Sequence, residues 1–372
     1  MREEDLMRKA RRFKSLITSP YHPYFPDILD AIIDELPPLR INRIAEKLGI
    51  TGNMAARYIR WIKEYGHLTL RYYPSAIGLG AIIALLKHSQ LKPPKSHWLY
   101  SATETFEGII ISYRYPLVLG HEFITEELRN VTEWIHVYPY AISIQAKTKY
   151  FLEERRILNS VEALVKAIED ARPIPINLPV NKRPRDLLDL FLLAILESNA
   201  SLNYIQIAEH IKKKLNVKFP YRKIRMHLLH LMKDKALAGF AFRSIVESPY
   251  STMIFFEAES RNQLYELINT FLNYPYAVSL FFNLDTYEAL VLVYVAIKNL
   301  PQIIRILKEY VGMRFKRLVF FSIESRLAKY TLPFRNYDPF KKAWVQNPVD
   351  IDKWLRKRGY VLEKSEEKTR AR

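Results

Sequence analysis

The chain has 372 residues and a formal net charge of +18, and 49% of its residues are hydrophobic. Such a length corresponds to roughly two to four domains, and such an apolar content excludes a disordered chain. Cysteine is absent, which excludes disulfides, thiolate zinc sites and cysteine nucleophiles. No apolar run approaches the roughly 18–20 residues of a membrane span, and the charged N-terminus has no signal-peptide core. We therefore expect a cytoplasmic protein without a membrane partner.

The positive charge favours a polyanionic partner, meaning DNA, RNA or an anionic membrane surface. Charge alone does not choose among them. Abundant Lys, Arg, Glu and Ile with few glycines are typical of proteins from hot habitats, archaeal ones included, and such proteins can be basic without a polyanionic partner. The pattern along the chain therefore has to decide the function.

Residues 24–75 have the pattern of a winged helix-turn-helix. Three apolar stripes at helical spacing follow one another, and residues 67–73 then alternate like a strand, the wing. The small Ala45 allows two helices to cross closely, and Gly49 supplies the left-handed residue of the sharp corner before the third helix. Thr51 then caps that third, recognition helix.

The face of this recognition helix opposite its buried side is polar and cationic. In a helix-turn-helix, such a face meets the major groove and its phosphates, so we predict double-stranded DNA as the partner. The predicted contacts are Thr51, Asn53, Ala56, Arg57, Arg60, Lys63 and, in the wing, Arg71. The alternative is that the basic residues only solvate an amphipathic helix.

This segment resembles the leucine-responsive/asparagine-regulatory (Lrp/AsnC) family of transcription regulators. The features that carry the resemblance are Ala45, Gly49, Thr51, the glycine after the recognition helix (Gly66) and the "GLG" from Gly78 to Gly80. The resemblance implies a winged helix-turn-helix that runs through a hinge strand into a βαββαβ domain. It also implies pairing of two such domains and a DNA-binding, regulatory function.

Residues 185–248 repeat the helix-turn-helix plan with a similar spacing of buried residues. Basic residues at or near the corresponding exposed positions join the predicted DNA contacts: Arg222, Lys223 and Arg225. The same face carries Met226 and Leu229, and exposed apolar side chains are more usual at protein contacts than at nucleic acid. An assembly factor that binds the transcription machinery through this helix is therefore an alternative.

Each helix-turn-helix precedes a pattern of strands and helices. Residues 249–325 follow the order βαββαβ of a ferredoxin-like domain, whereas in residues 76–149 two prolines leave no room for the first helix. Between the halves, residues 150–184 predict an amphipathic helix and a proline-rich linker, and residues 326–372 form a C-terminal extension. The predicted fold class is α+β, with two winged helix-turn-helix domains alternating with two ferredoxin-like domains, the first of them eroded.

Two short repeats indicate internal duplication. "ETFEGIII" at Glu104 matches "DTYEALVL" at Asp285, and "YPYAISI" at Tyr138 matches "YPYAVSL" at Tyr274. The two pairs are separated by different distances along the chain, so both cannot belong to one alignment of the halves. We prefer the first pair for this alignment, because it keeps the same element order in both copies. The two halves are expected to pair as a pseudo-dimer inside one chain, or the chain forms a homodimer.

The family resemblance also implies an effector interface near the turn between the middle strands. The residues at this turn in the two copies are Glu104, Glu107, Asp285 and Glu288. The family's glycine is missing at both turns, so a plain charged hairpin is the favoured interpretation.

Familiar catalytic signatures are absent from the sequence. We find no phosphate-binding loop, dinucleotide motif, nucleophile elbow or metalloprotease signature. His227 and His230 stand three residues apart but have no third ligand in the sequence pattern. We therefore expect a non-enzymatic protein without cofactor or metal, located at the nucleoid. An RNA- or ribosome-binding protein is a further alternative.

Overall fold

The computed structural model describes residues 3–357 except 67, 91, 180–182, 216, 218, 243–246, 323–324 and 330–331. The end of the chain, 358–372, lies outside the described residues. Across this described part, every helix is too short or too polar to cross a bilayer.

The first half opens with a helix-turn-helix preceded by one helix that the sequence pattern did not predict. The elements are α1 (Glu3–Thr18), α2 (Phe25–Ile33), α3 (Ile41–Leu48), α4 (Gly52–Tyr65) and β1 (Thr69–Tyr72). Gly49 ends α3 with φ 64°, and the hydroxyl of Thr51 accepts a hydrogen bond from the amide of Met54 at 3.2 Å. The predicted corner and cap are confirmed. α1 packs on this unit through Phe13, whose ring lies 5.6 Å from that of Phe25.

The first α/β unit and the segment after it follow. They comprise β2 (Leu79–Leu86), β3 (Leu99–Thr105), β4 (Gly108–Pro116), α5 (Glu122–Arg129), β5 (Thr132–Tyr138), β6 (Tyr140–Ser143), β7 (Leu152–Glu153), β8 (Arg156–Ile157) and α6 (Ser160–Glu169). No helix joins β2 to β3 in the described part of that connection, so the predicted erosion is confirmed. The helix predicted from the start of segment 150–184 begins only at Ser160, because a short hairpin precedes it and Asn159 caps it.

The second half repeats the order. Its elements are α7 (Leu187–Ser198), α8 (Tyr204–Leu215), α9 (Tyr221–Lys233), β9 (Leu237–Ala241), β10 (Tyr250–Glu257), α10 (Arg261–Asn273), β11 (Ala277–Asn283), β12 (Glu288–Val293), α11 (Leu300–Val311) and β13 (Arg314–Ser322). The C-terminal extension adds β14 (Arg326–Lys329), β15 (Tyr337–Asp338), β16 (Ala343–Trp344) and α12 (Ile351–Lys357).

Both sheets have the ferredoxin-like strand order, and each borrows one strand. The first runs β14-β3-β4-β2-β5 and the second β13-β10-β12-β11-β6. The predicted α+β class is confirmed. Segment 76–149 is not self-contained, however, because its last strand, β6, pairs with β11 of the other half. The C-terminal extension likewise supplies β14 to the edge of the first sheet.

The two predicted wings do not form separate hairpins. β1 pairs antiparallel with β9, with Leu70 opposite Phe240 and Arg71 opposite Gly239, so one two-stranded sheet joins the two helix-turn-helix units. The amide of Tyr73 also donates to the carbonyl of Ala236 at 2.9 Å. The two units are therefore fixed relative to each other within one chain.

The sheets pack face to face, and the repeats explain part of this packing. Ile83 and Ile110 of the first sheet share an apolar cluster with Phe255 and Leu290 of the second. The two "YPYA" repeats meet directly, because Ser143 of β6 lies opposite Ser279 of β11. The two "YPYA" segments therefore pair with each other where the halves meet, which explains why their spacing differs from that of the other repeat. The other repeat, at Glu104 and Asp285, lies in the equivalent hairpin of each half.

Gly239 is required where the halves join. Its φ is 113°, and a Cβ there would lie 2.4 Å from the carbonyl oxygen of Ile33. We expect Gly239→Ala to lower the free energy of unfolding by about 2 kcal/mol or more, from backbone strain and this clash. Urea denaturation checks the value. Gly52→Ala is the matched control, since a Cβ there meets its nearest atom, in Asn42, at 3.6 Å. An equal loss in both variants would contradict the account.

Candidate nucleic-acid interface

The recognition helix α4 presents its predicted face to solvent. Its buried side consists of Ala55, Tyr58, Ile59 and Ile62, which pack against the core. Asn53, Arg57 and Arg60 are exposed on the other side, as is Thr51 at the cap, whereas Ala56 is half-buried. The guanidinium carbon of Arg57 lies 5.5 Å from the ring centroid of Trp61. This cation–π contact holds Arg57 on the helix surface without covering it.

Two further predicted contacts differ in their surroundings. Lys63 is exposed, although neighbouring atoms partly desolvate its ammonium group and lower its pKa. Arg71 is half-buried, and its Nη2 donates to the carbonyl of Ala238 at 2.8 Å. Burial lowers the pKa of Arg71. The phosphate contact predicted for Arg71 is therefore corrected, because its strand joins the two halves instead of forming a wing.

The second recognition helix, α9, presents a mixed face. Arg222 and Arg225 are exposed, and Lys223 is half-buried with its ammonium 5.4 Å from the ring centroid of Phe219. Met226 and Leu229 of the same helix are 44% and 37% exposed. The apolar character inferred from the sequence is thus present at the surface.

A basic and aromatic depression links the two helix-turn-helix units. It has a volume of about 490 Å³ and is lined by Arg40, Tyr204, Tyr221, Arg222 and Arg225. Arg40 belongs to the first unit, at the start of α3, whereas the other four belong to the second. The rings of Tyr204 and Tyr221 lie 5.6 Å apart. Sequence reasoning missed Arg40 and both tyrosines, because only the folded chain brings them to α9.

A buried polar cluster lies on the inner side of α9. Nδ1 of His227 lies 2.7 Å from Oδ1 of Asp189 and 3.5 Å from Asp186, a grouping of ligand types that can hold a metal ion. Asp189 also accepts from the amide of Arg185, and Asp186 caps α7 by accepting from the amide of Leu188. These bonds cap α7 and connect it to α9, so we assign the cluster a structural role. The aspartates were not paired with His227 at the sequence level, since they lie on another helix.

The residues at the middle-strand turns have separate environments. Glu104 is exposed and Glu107 half-buried at the first turn, and Asp285 at the second is exposed, 4.0 Å from Arg261. Glu288 joins the two sheets instead. It accepts from Nζ of Lys316 at 2.8 Å and lies 3.6 Å from Nδ1 of His136. His136 and then Lys316 lower the pKa of Glu288 to about 2, against a partial cost of burial.

Glu288 should stabilise the fold in a pH-dependent way. Its pKa is lower in the folded state, about 2, than the usual value of 4.5, so its stabilisation is present above about pH 4.5 and is lost as the pH falls towards 2. We expect Glu288→Gln to cost about 2 kcal/mol near neutral pH and much less near pH 3. Urea denaturation at both pH values checks this. A cost independent of pH, or an equal cost for the exposed control Glu104→Gln, would contradict it.

Comparisons with known proteins give structural matches only. No family model matches the chain, and no curated protein does. Two solved structures of the siroheme decarboxylase NirDL, one in complex with an iron-uroporphyrin III analogue, are similar over 83% of this chain and 93% of theirs. Their identities are 10% and 12%, and their TM-scores 0.47 and 0.46. The structure of PH0061 matches 30% of this chain and 88% of its own, with 20% identity and a TM-score of 0.21.

One expectation is corrected by these comparisons. The missing catalytic motifs led us to expect a non-enzymatic protein, but the similar structures include an enzyme. The decarboxylase activity is a property of that protein. The element order and the strand order of both halves, a helix-turn-helix followed by a ferredoxin-like sheet, give the chain an Lrp/AsnC-like fold.

Proposed function

We propose that the protein binds duplex DNA through α4, as a transcription regulator or a nucleoid-associated protein. The observation that carries the proposal is the row formed by Asn53, Arg57 and Arg60, which is exposed on the third helix of a helix-turn-helix. The rest of the described chain leaves this row uncovered.

The chemistry of the row suits the major groove. Guanidinium groups bind phosphate oxygens and can donate two hydrogen bonds to guanine, whereas an asparagine amide pairs with adenine. Binding would begin with the neutralisation of phosphates and the release of counterions, so the affinity depends on salt. Arg57 and Asn53 would then supply any preference for sequence.

The link between the halves supports a two-unit mode of binding. Family regulators bring two helix-turn-helix units together by dimerising, and here the β1–β9 ladder holds two units in one chain. In the depression, Arg40 of the first unit meets Arg222 and Arg225 of the second, so cationic groups of both units lie together there.

Fluorescence anisotropy with the intact protein tests the proposal. A labelled duplex, a single strand of the same sequence and a structured RNA are titrated at graded salt. If Arg57, Arg60, Lys63, Arg222 and Arg225 each neutralise one phosphate, log K should fall against log salt with a slope of about −4 to −5 for the duplex. Equal or tighter binding of the RNA would favour the RNA-binding alternative, and a slope near zero would overturn the proposal.

A second candidate function concerns α9 alone. The exposure of Met226 and Leu229 favours a protein contact there, as in an assembly factor of the transcription machinery. The double variant Arg222→Ala/Arg225→Ala separates the two roles. If α9 binds DNA, the duplex affinity falls with these arginines. If α9 binds protein, the duplex affinity of the variant stays within about twofold of the parent.

A further inference from the structure

A partly open space lies between the two sheets, at the end nearest β1 and α7. It has a volume of about 150 Å³. Along β4, the residues that face the second sheet change from apolar Ile110 to Ser112 and then to Arg114. The space is therefore polar at one end, whereas Leu290, Leu292 and Phe281 of the second sheet make the other end apolar.

Arg114 dominates the polar end. It is only 6% exposed, and its Nε and Nη1 have no hydrogen-bond partner in the described structure. Its guanidinium carbon lies 4.3 Å from the ring centroid of Tyr100, which fixes the plane of the group. A buried cation with unused donors costs several kcal/mol unless something accepts from it. An anion in this space would remove that cost.

The neighbours of Arg114 leave other polar atoms unused. Tyr100 donates its hydroxyl hydrogen to Oε1 of Glu197, and burial followed by the Glu197 charge raises the pKa of Tyr100, so it stays protonated. Oε2 of Glu197 is buried without a partner, as is the hydroxyl of Tyr72. The polar end thus offers donors from Arg114 and an acceptor from Glu197.

We propose that this space is a binding site for a small organic acid that also carries a hydroxyl donor. The carboxylate would accept from Arg114, the hydroxyl would donate to Glu197, and the carbon body would lie against Leu290 and Leu292. A cavity of this volume takes about six to ten non-hydrogen atoms, since one of about 150 Å³ holds benzene. The apolar end favours such a body over a bare inorganic anion. This inference is independent of DNA binding, because α4 contributes no residue to the site.

Isothermal titration calorimetry of the full chain tests the site with 4-hydroxybenzoate, benzoate, benzamide and sodium sulfate. We expect 4-hydroxybenzoate to bind best, and benzamide to bind at least about tenfold more weakly because it lacks the charge that Arg114 requires. Arg114→Met should lower the affinity for 4-hydroxybenzoate by a similar factor, whereas Arg305→Met, an exposed arginine on α11, should leave it unchanged.

A second variant distinguishes a loss of the binding site from a misfolded Arg114→Met protein. Leu292→Phe keeps Arg114 and fills the apolar end, so it should abolish binding of 4-hydroxybenzoate while urea denaturation still shows a folded protein. The proposal is overturned if benzamide binds as well as 4-hydroxybenzoate, if sulfate competes equally, or if both variants bind like the parent. DNA binding would be unaffected by any of these results, so the two proposals fail separately.

Discussion

Replacing Arg57 and Arg60 together by alanine should weaken duplex DNA binding by about a hundredfold. Both side chains are exposed on the same face of α4, and each contact of a guanidinium with phosphate or guanine contributes about 1–3 kcal/mol. Fluorescence anisotropy at one fixed salt concentration measures the loss. The slope of log K against log salt should also fall in magnitude by about two, because two cations no longer displace counterions.

The matched control removes the same charge elsewhere. Arg305 and Lys308 are exposed on α11, and Arg305→Ala/Lys308→Ala should change duplex affinity by less than about threefold. The fold should survive the α4 change, since the contacts that Arg57 loses are two cation–π contacts at the helix surface, with Tyr58 and Trp61, of about 0.5–1 kcal/mol each. An equal loss of affinity in both double variants would mean that only net charge matters.

His227→Leu should destabilise the protein by about 3 kcal/mol. Asp189 is 1% exposed, and His227 is the side chain that contacts its Oδ1, at 2.7 Å. Removal of the imidazole leaves a buried carboxylate oxygen without its donor, and a buried carboxylate that has lost its partner is far more costly than a pair of apolar groups in the same place. Urea denaturation followed by circular dichroism measures the change.

A second-site change isolates the cause. Adding Asp189→Asn to His227→Leu removes the buried charge and keeps an oxygen for the amide of Arg185, so more than half of the lost stability should return. His210 is exposed on α8, and His210→Leu should shift the stability by less than about 0.5 kcal/mol. If the asparagine change gives no recovery, the loss comes from packing and not from the unpaired charge.

Local signals in the sequence predict much of the fold. Gly49 and Thr51 predict the helix-turn-helix corner because their roles are local. Gly49 adopts a positive φ, and Thr51 accepts a hydrogen bond from the nearby amide of Met54. The strands and helices of residues 249–325 follow from apolar periodicity, and the structure has them in the predicted order βαββαβ. The prolines before β3 correctly indicate the missing helix.

Contacts between the halves were not predictable in the same way. The pairing of β1 with β9 and of β6 with β11 depends on partners far along the chain. The strand that the sequence pattern predicts as a wing, β1, therefore belongs to a sheet shared by the two helix-turn-helix units. Arg71 was assigned to DNA for this reason. Arg114 gave no signal, because a basic residue in a strand looks solvent-facing until a second sheet covers it.

The central claim, that α4 lies in the groove of a duplex, can be tested with one tethered probe. The chain has no cysteine, so Asn53→Cys creates a unique attachment point for a DNA-cleaving iron chelate. We predict cleavage of a bound duplex within a few base pairs of one position in each site. The same chelate at Tyr310→Cys, 68% exposed on α11, should give none. Uniform cleavage, or equal cleavage from both positions, would contradict the account.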